Sequence, residues 1–182
     1  MTGLQPALGA GFGCGTIVGM DSLRPRRSVL FMPGANARAL EKARSIDCDG
    51  IIIDLEDAVA PDLKVEARER AAGVVKEHPY GYREVAIRVN GMDTQWYHDD
   101  LAAAVAAGPD AIAVPKVGSA EHVHAIVADM EAAGADESVK LWAMIETPRA
   151  VLDCLDIAEA SDRLTVLIMG TNDLTKELRA SH

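Results

Sequence analysis

From residue 27 onward, short β-branched runs alternate with stretches of helical character, and this alternation constrains the fold more than any other feature. Residues 28–32, 50–55, 84–90, 111–115, 139–145 and 164–169 read as strands. Helical patterns at 37–45, 61–76, 93–107, 119–133, 147–159 and 172–179 follow them in turn. Asn36 and Thr147 stand at N-cap positions, the latter followed by Pro148 at the first helical position. The strands are near-continuous apolar runs, as expected where both faces are covered. Regular βαβα order means an α/β fold with a parallel sheet and right-handed crossovers. A doubly wound sheet and a (β/α)8 barrel both satisfy this pattern. Gly11-Phe12-Gly13 follows no strand and opens no helix, so no dinucleotide loop is read from it.

The 182 residues carry 18 Lys and Arg against 28 Asp and Glu, a net charge of −10. That balance argues against broad electrostatic binding to nucleic acid. It leaves room for an anionic small ligand at a local cluster of arginines. No apolar run approaches the roughly 20 residues of a membrane helix. Cys14, Cys48 and Cys154 form no CxxC or zinc spacing and read as reduced thilols of a cytoplasmic protein. Residues 1–23 begin Gly-rich and uncharged, and read as a flexible extension with Met20 a possible natural start. Residues 24–182 form the folded unit.

Charge is concentrated at the carboxyl ends of the strands. The second strand runs into Asp54, Glu56 and Asp57; the third carries Arg88 and Asn90; the fourth leads to Lys116, the fifth to Glu146, and the sixth to Gly170-Thr171-Asn172-Asp173. In a barrel, ligand sites form on this face. Val85, Ile87 and Val89 share one face of the third strand, which gives Arg88 and Asn90 the other. Leu141, Ala143 and Ile145 likewise leave Glu146 the opposite face. If the apolar sets face helices, Arg88 and Glu146 point into the barrel mouth. Carboxylates beside one Arg, with no His or Cys set at ligand spacing, suit a hard cation such as Mg²⁺. Such an ion polarises a carbonyl, and a guanidinium adds fixed positive charge. His122 and His124 are two apart on a helix and diverge, and no GxSxG nucleophile motif occurs.

Six ordered blocks carry a resemblance: Arg27-Ser-Val-Leu-Phe-Met-Pro-Gly34, Ile53-Asp-Leu-Glu-Asp-Ala-Val59, Ile87-Arg-Val-Asn90, Val114-Pro-Lys116, Ile145-Glu-Thr147 and Gly170-Thr-Asn-Asp-Leu174. Together they resemble the HpcH/HpaI aldolase/citrate lyase family, in its citrate lyase beta-subunit-like branch, which includes malyl-CoA lyases and related thioesterases. The resemblance implies a TIM (β/α)8 barrel and a Mg²⁺-dependent carbon–carbon lyase acting on an acyl-CoA thioester such as malyl-CoA or citryl-CoA, with a 2-oxo acid as the other fragment. It implies that Glu146 and Asp173 bind the metal and that Arg88 binds substrate and stabilises an enolate oxygen. Glu56 and Asp57 match the acidic pair that holds metal-bound waters or neighbouring site groups. Arg24, Arg27, Arg38 and Lys116 are carried over as the CoA-binding set, the basic cluster being suited to phosphates.

The family barrel has eight strands, and the sequence read here stops after six βα units, an incomplete barrel. The carboxy-terminal region expected to supply a lid and an acidic catalytic residue is missing from it. An open barrel exposes the edges of strands one and six, so a homo-oligomer, an unstable chain or a fragment is expected. Three activities follow: the lyase, an acyl-CoA thioesterase on the same scaffold, or an inactive relative that only binds a ligand or partner chain.

Overall fold

The computed structural model describes residues 24–181. The extension expected over residues 1–23 lies outside the described residues. The elements are β1 (Val29–Pro33), α1 (Ala37–Ala43), β2 (Gly50–Asp54), α2 (Lys64–Lys76), β3 (Glu84–Arg88), α3 (Tyr97–Ala107), β4 (Ala111–Val114), α4 (Ala120–Ala132), β5 (Lys140–Ile145), α5 (Pro148–Leu152), α6 (Cys154–Glu159), β6 (Leu164–Met169) and α7 (Thr171–Leu178). Every strand pairs in parallel with its neighbour in sequence, giving the order β1-β2-β3-β4-β5-β6. A doubly wound sheet reverses its strand order at a switch point. This sheet does not, so the barrel alternative is the one observed.

Alternation along the strands separates two apolar layers. Ile51, Ile53, Ile87, Ile112, Leu141 and Ile145 belong to the main core, where the helices contribute Leu101, Val123, Ile126 and Met130. Ile52, Ala86, Ala111, Ala113 and Trp142 form a separate, smaller cluster on the concave side. Asn36, Ser119 and Thr147 cap their helices by accepting from Ala39, His122 and Ala150 amides. Each cap places a helix start directly after a strand end. The helix expected over 147–159 is broken, because Asp153 leaves helical dihedrals (φ −93°, ψ 13°) and splits it into α5 and α6. None of the described helices is long and apolar enough to cross a membrane.

The amino-terminal end of the sheet is closed by ion pairs. Arg24 meets Asp110, Arg26 meets Glu84, and Arg27 meets Asp49. Asp49 and Asp110 directly precede β2 and β4, and Glu84 opens β3. Arg26 also lies over the Trp142 ring at 5.6 Å. The outer strands are less covered than the inner ones. All of β2 is buried, whereas Phe31 on β1 is 43% exposed and Met169 on β6 is 53% exposed.

Candidate active site

At the carboxyl end of the sheet, Asp54 and Arg88 are register partners on β2 and β3. Their side chains form a two-pronged pair, Nε to Oδ1 at 2.7 Å and Nη2 to Oδ2 at 2.6 Å. The same Asp54 oxygens accept from the Glu56 and Ala58 amides at 2.8 and 3.0 Å. Asp54 therefore folds the loop after β2 and fixes the arginine together, a double role that its place in the acidic run did not disclose. The third guanidinium nitrogen, Nη1, lies 2.9 Å from Glu56 Oε2 and 3.9 Å from Asp57 Oδ2. Arg88 also lies over Phe31 at 5.0 Å. Burial works against its charge, but the Asp54 bonds and the surrounding carboxylates hold its pKa above the ordinary value.

Glu56 is 7% exposed, and its Oε2 makes no hydrogen bond. Burial, with the charges of Asp57 and Glu146, pushes its carboxyl up to about 7 against the pull of Arg88 and Lys116. Glu146, at the end of β5, is 3% exposed. Its Oε2 accepts from the Lys116 main-chain amide at 2.8 Å. Burial and the charge of Asp173 push its pKa up, while the Lys116 amide opposes the shift. Gly170 backs this carboxylate so closely that a Cβ there would overlap it. Arg88, Glu146, Asp57 and Asp173 line one open cleft of about 470 Å³, walled by Phe31 and Met144.

A divalent cation would find only oxygen donors here. Among the described residues no three potential ligands are gathered at one point. Glu146 and Asp173 line the same cleft, and the effect of Asp173 on Glu146 shows two carboxylates whose repulsion a cation would relieve. Two carboxylates with water and substrate oxygens filling the other positions is the usual Mg²⁺ arrangement, so the residues fit that ion.

The remaining expected residues divide. Lys116 stands at the rim, with Nζ 3.8 Å from Glu56 Oε1. Arg38 is exposed in the first turn of α1, which follows the carboxyl end of β1, and among the described residues it forms no ion pair. Arg24 and Arg27 require correction: they precede β1, lie at the opposite end of the sheet, and are engaged by Asp110 and Asp49. Asn90 also departs from expectation. Strand β3 ends at Arg88, and Asn90 instead bonds Asp100 of α3, the Leu55 carbonyl and Lys64.

Lys64 was not legible in the sequence. As the first residue of α2 it is 5% exposed, and Nζ donates to the Leu55 and Glu56 carbonyls and to Asn90 at 2.7–2.8 Å. Its ammonium lies 5.2 Å from the Trp96 ring. Asp100, 0% exposed, accepts from Arg68 and Asn90 and completes the network. A lysine in a charged amphipathic run reads as solvent-facing, and nothing local marks this one as buried.

The model of the HpcH/HpaI aldolase/citrate lyase family matches residues 27–182. The chain belongs to this family. It is 50% identical over 154 residues to a (3S)-malyl-CoA thioesterase of Cereibacter sphaeroides, covering 85% of this chain and 52% of that protein. It is 35% identical over 161 residues to the citrate lyase subunit beta of Escherichia coli, covering 86% of this chain and 53% of that protein. The citrate lyase beta subunit of Mycobacterium tuberculosis, solved with oxaloacetate and magnesium, superposes with a TM-score of 0.65 at 28% identity, covering 85% of this chain and 62% of that one. The chain thus spans about half the length of the curated relatives it matches. Its six strand–helix units are part of a TIM-barrel fold.

Proposed function

We propose that the protein is a Mg²⁺-dependent carbon–carbon lyase acting on a 3-hydroxyacyl-CoA such as malyl-CoA. The observation that carries this reading is Arg88, clamped by Asp54 and presented to the cleft that Glu146 and Asp173 line. Cleavage removes the 3-hydroxyl proton, breaks the bond between C2 and C3, and leaves the electron pair as an acyl-CoA enolate. Arg88 offers a fixed positive charge to that enolate oxygen, with no reorganisation during the reaction. Glu56, with a pKa of about 7, is suited to exchange a proton near neutral pH. Mg²⁺ held by Glu146 and Asp173 would act as a Lewis acid on the 2-oxo acid fragment. Asp57 would hold water at the mouth, and Arg38 and Lys116 are the rim cations available to the CoA phosphates. A reducing cytoplasm suits the free Cys48 and Cys154. A homo-oligomer is the assembly proposed, testable by light scattering on the full-length protein.

The second reading is a thioesterase, favoured by the 50% identity to proteins of that name. Water then attacks the thioester carbon, and free CoA leaves. Incubation with malyl-CoA and Mg²⁺ separates the readings. Glyoxylate without free thiol supports the lyase; free thiol without glyoxylate supports hydrolysis; neither product marks an inactive relative.

A further inference from the structure

We propose that Lys116 is a positioning residue for Glu146 and that it acts through its main chain rather than its ammonium group. Lys116 has φ +55°, the left-handed region, directly after Pro115 at the end of β4. A lysine gains nothing intrinsic from that conformation, which is unfavourable for a residue with a Cβ. The side chain does not repay it. It is 52% exposed, and its single ion pair among the described residues is a 3.8 Å approach to Glu56.

The main chain explains the turn. The Lys116 amide donates to Glu146 Oε2 at 2.8 Å, and the next amide, Val117, donates to the Met144 carbonyl at 3.2 Å. Two successive amides of the loop after β4 are thus anchored to the end of β5, one on the strand and one on the carboxylate. On its other side the carboxylate, through Oε1 and Cγ, fills the space a Cβ on residue 170 would need, so it packs directly on the Gly170 backbone. Glu146 is therefore held from both sides by backbone, and its Oε2 is already committed to an amide. This rests on the reading of Glu146 as a metal ligand.

The test uses Mn²⁺ as the probe, read by electron paramagnetic resonance on the full chain, together with melting temperature. Lys116→Gly and Lys116→Asn, both tolerant of positive φ, keep the parent Mn²⁺ affinity to within about twofold, whereas β-branched Lys116→Val binds roughly tenfold more weakly. If Lys116→Arg alone keeps the affinity while Gly, Asn and Val lose it together, the ammonium is the operative group and the proposal is overturned. Equal affinity in all four variants overturns it as well. If the parent binds no Mn²⁺, the metal reading fails separately, and the melting temperatures still decide the contact. The gap between Lys116→Gly and Lys116→Val should then shrink in a Glu146→Ala background; a gap that persists in full refutes the proposal.

Discussion

At the amino-terminal end of the sheet three arginines meet three carboxylates one to one, while at the other end a single Arg88 faces Asp54, Glu56 and Asp57. The first set is partly solvated, with Arg27 80% exposed. Its pairs are balanced and call for no ligand. Arg27 holds the Asp49 carboxyl down at about 2, an ordinary surface partnership. In the second set Arg88, Asp54 and Glu56 are buried and only Asp57 is exposed, and the set carries excess negative charge, with Glu146 and Asp173 nearby. One end of the sheet is electrostatically complete, and the other is left short of a cation. The contrast shows that Arg–carboxylate pairs alone do not mark a site; burial and imbalance do.

Removing Arg88 should have the largest effect. Arg88→Ala leaves Asp54 and Glu56 buried without their counter-charge, a loss of about 3–5 kcal/mol of stability. Turnover of malyl-CoA should fall roughly a thousandfold if Arg88 offsets the enolate charge. Full turnover in a folded Arg88→Ala protein would remove the carboxyl end from the chemistry. Next comes Glu146→Gln, which retains an oxygen for the Lys116 amide but drops one charge. Activation by Mg²⁺ should disappear in a metal titration, without loss of melting temperature.

The Glu56 prediction concerns pH. Its folded-state pKa, about 7, lies above the ordinary 4.5. The protonated form is thus favoured by folding, and that contribution is fully present below 4.5 and lost as pH rises through about 7. In metal-free protein the melting temperature should fall across this window, and Glu56→Gln should flatten the fall. Parallel profiles for the two proteins would contradict burial outweighing the Arg88 charge at Glu56. The smallest effects belong to the opposite end. Arg24→Ala and Arg27→Ala should lower the melting temperature only slightly, as exposed pairs do, and shift KM for the thioester by less than about twofold. A large KM change would erase the contrast between the two ends.

Much of this arrangement could be read from the chain. Uninterrupted β-branched runs such as Ile51, Ile52 and Ile53 set the strands, and alternation placed Arg88 and Glu146 on the concave face. Strand alternation says nothing of residues beyond a strand's end. Asn90 lies two residues beyond the end of β3, so the period of two no longer applied to it. Arg24 and Arg27 were grouped by charge with the acyl-CoA site, although residues preceding a first strand must lie at its amino-terminal end. Lys64 and Asp100 were hidden for another reason. Their burial depends on partners 8 to 32 residues away, which no local pattern contains.

The Lys64 ammonium joins two things usually treated apart, the start of a helix and the shape of an acidic loop. Its bonds to the Leu55 and Glu56 carbonyls make the first turn of α2 and the rim after β2 a single opening unit. Loosening the acidic rim would therefore break these bonds to the start of α2.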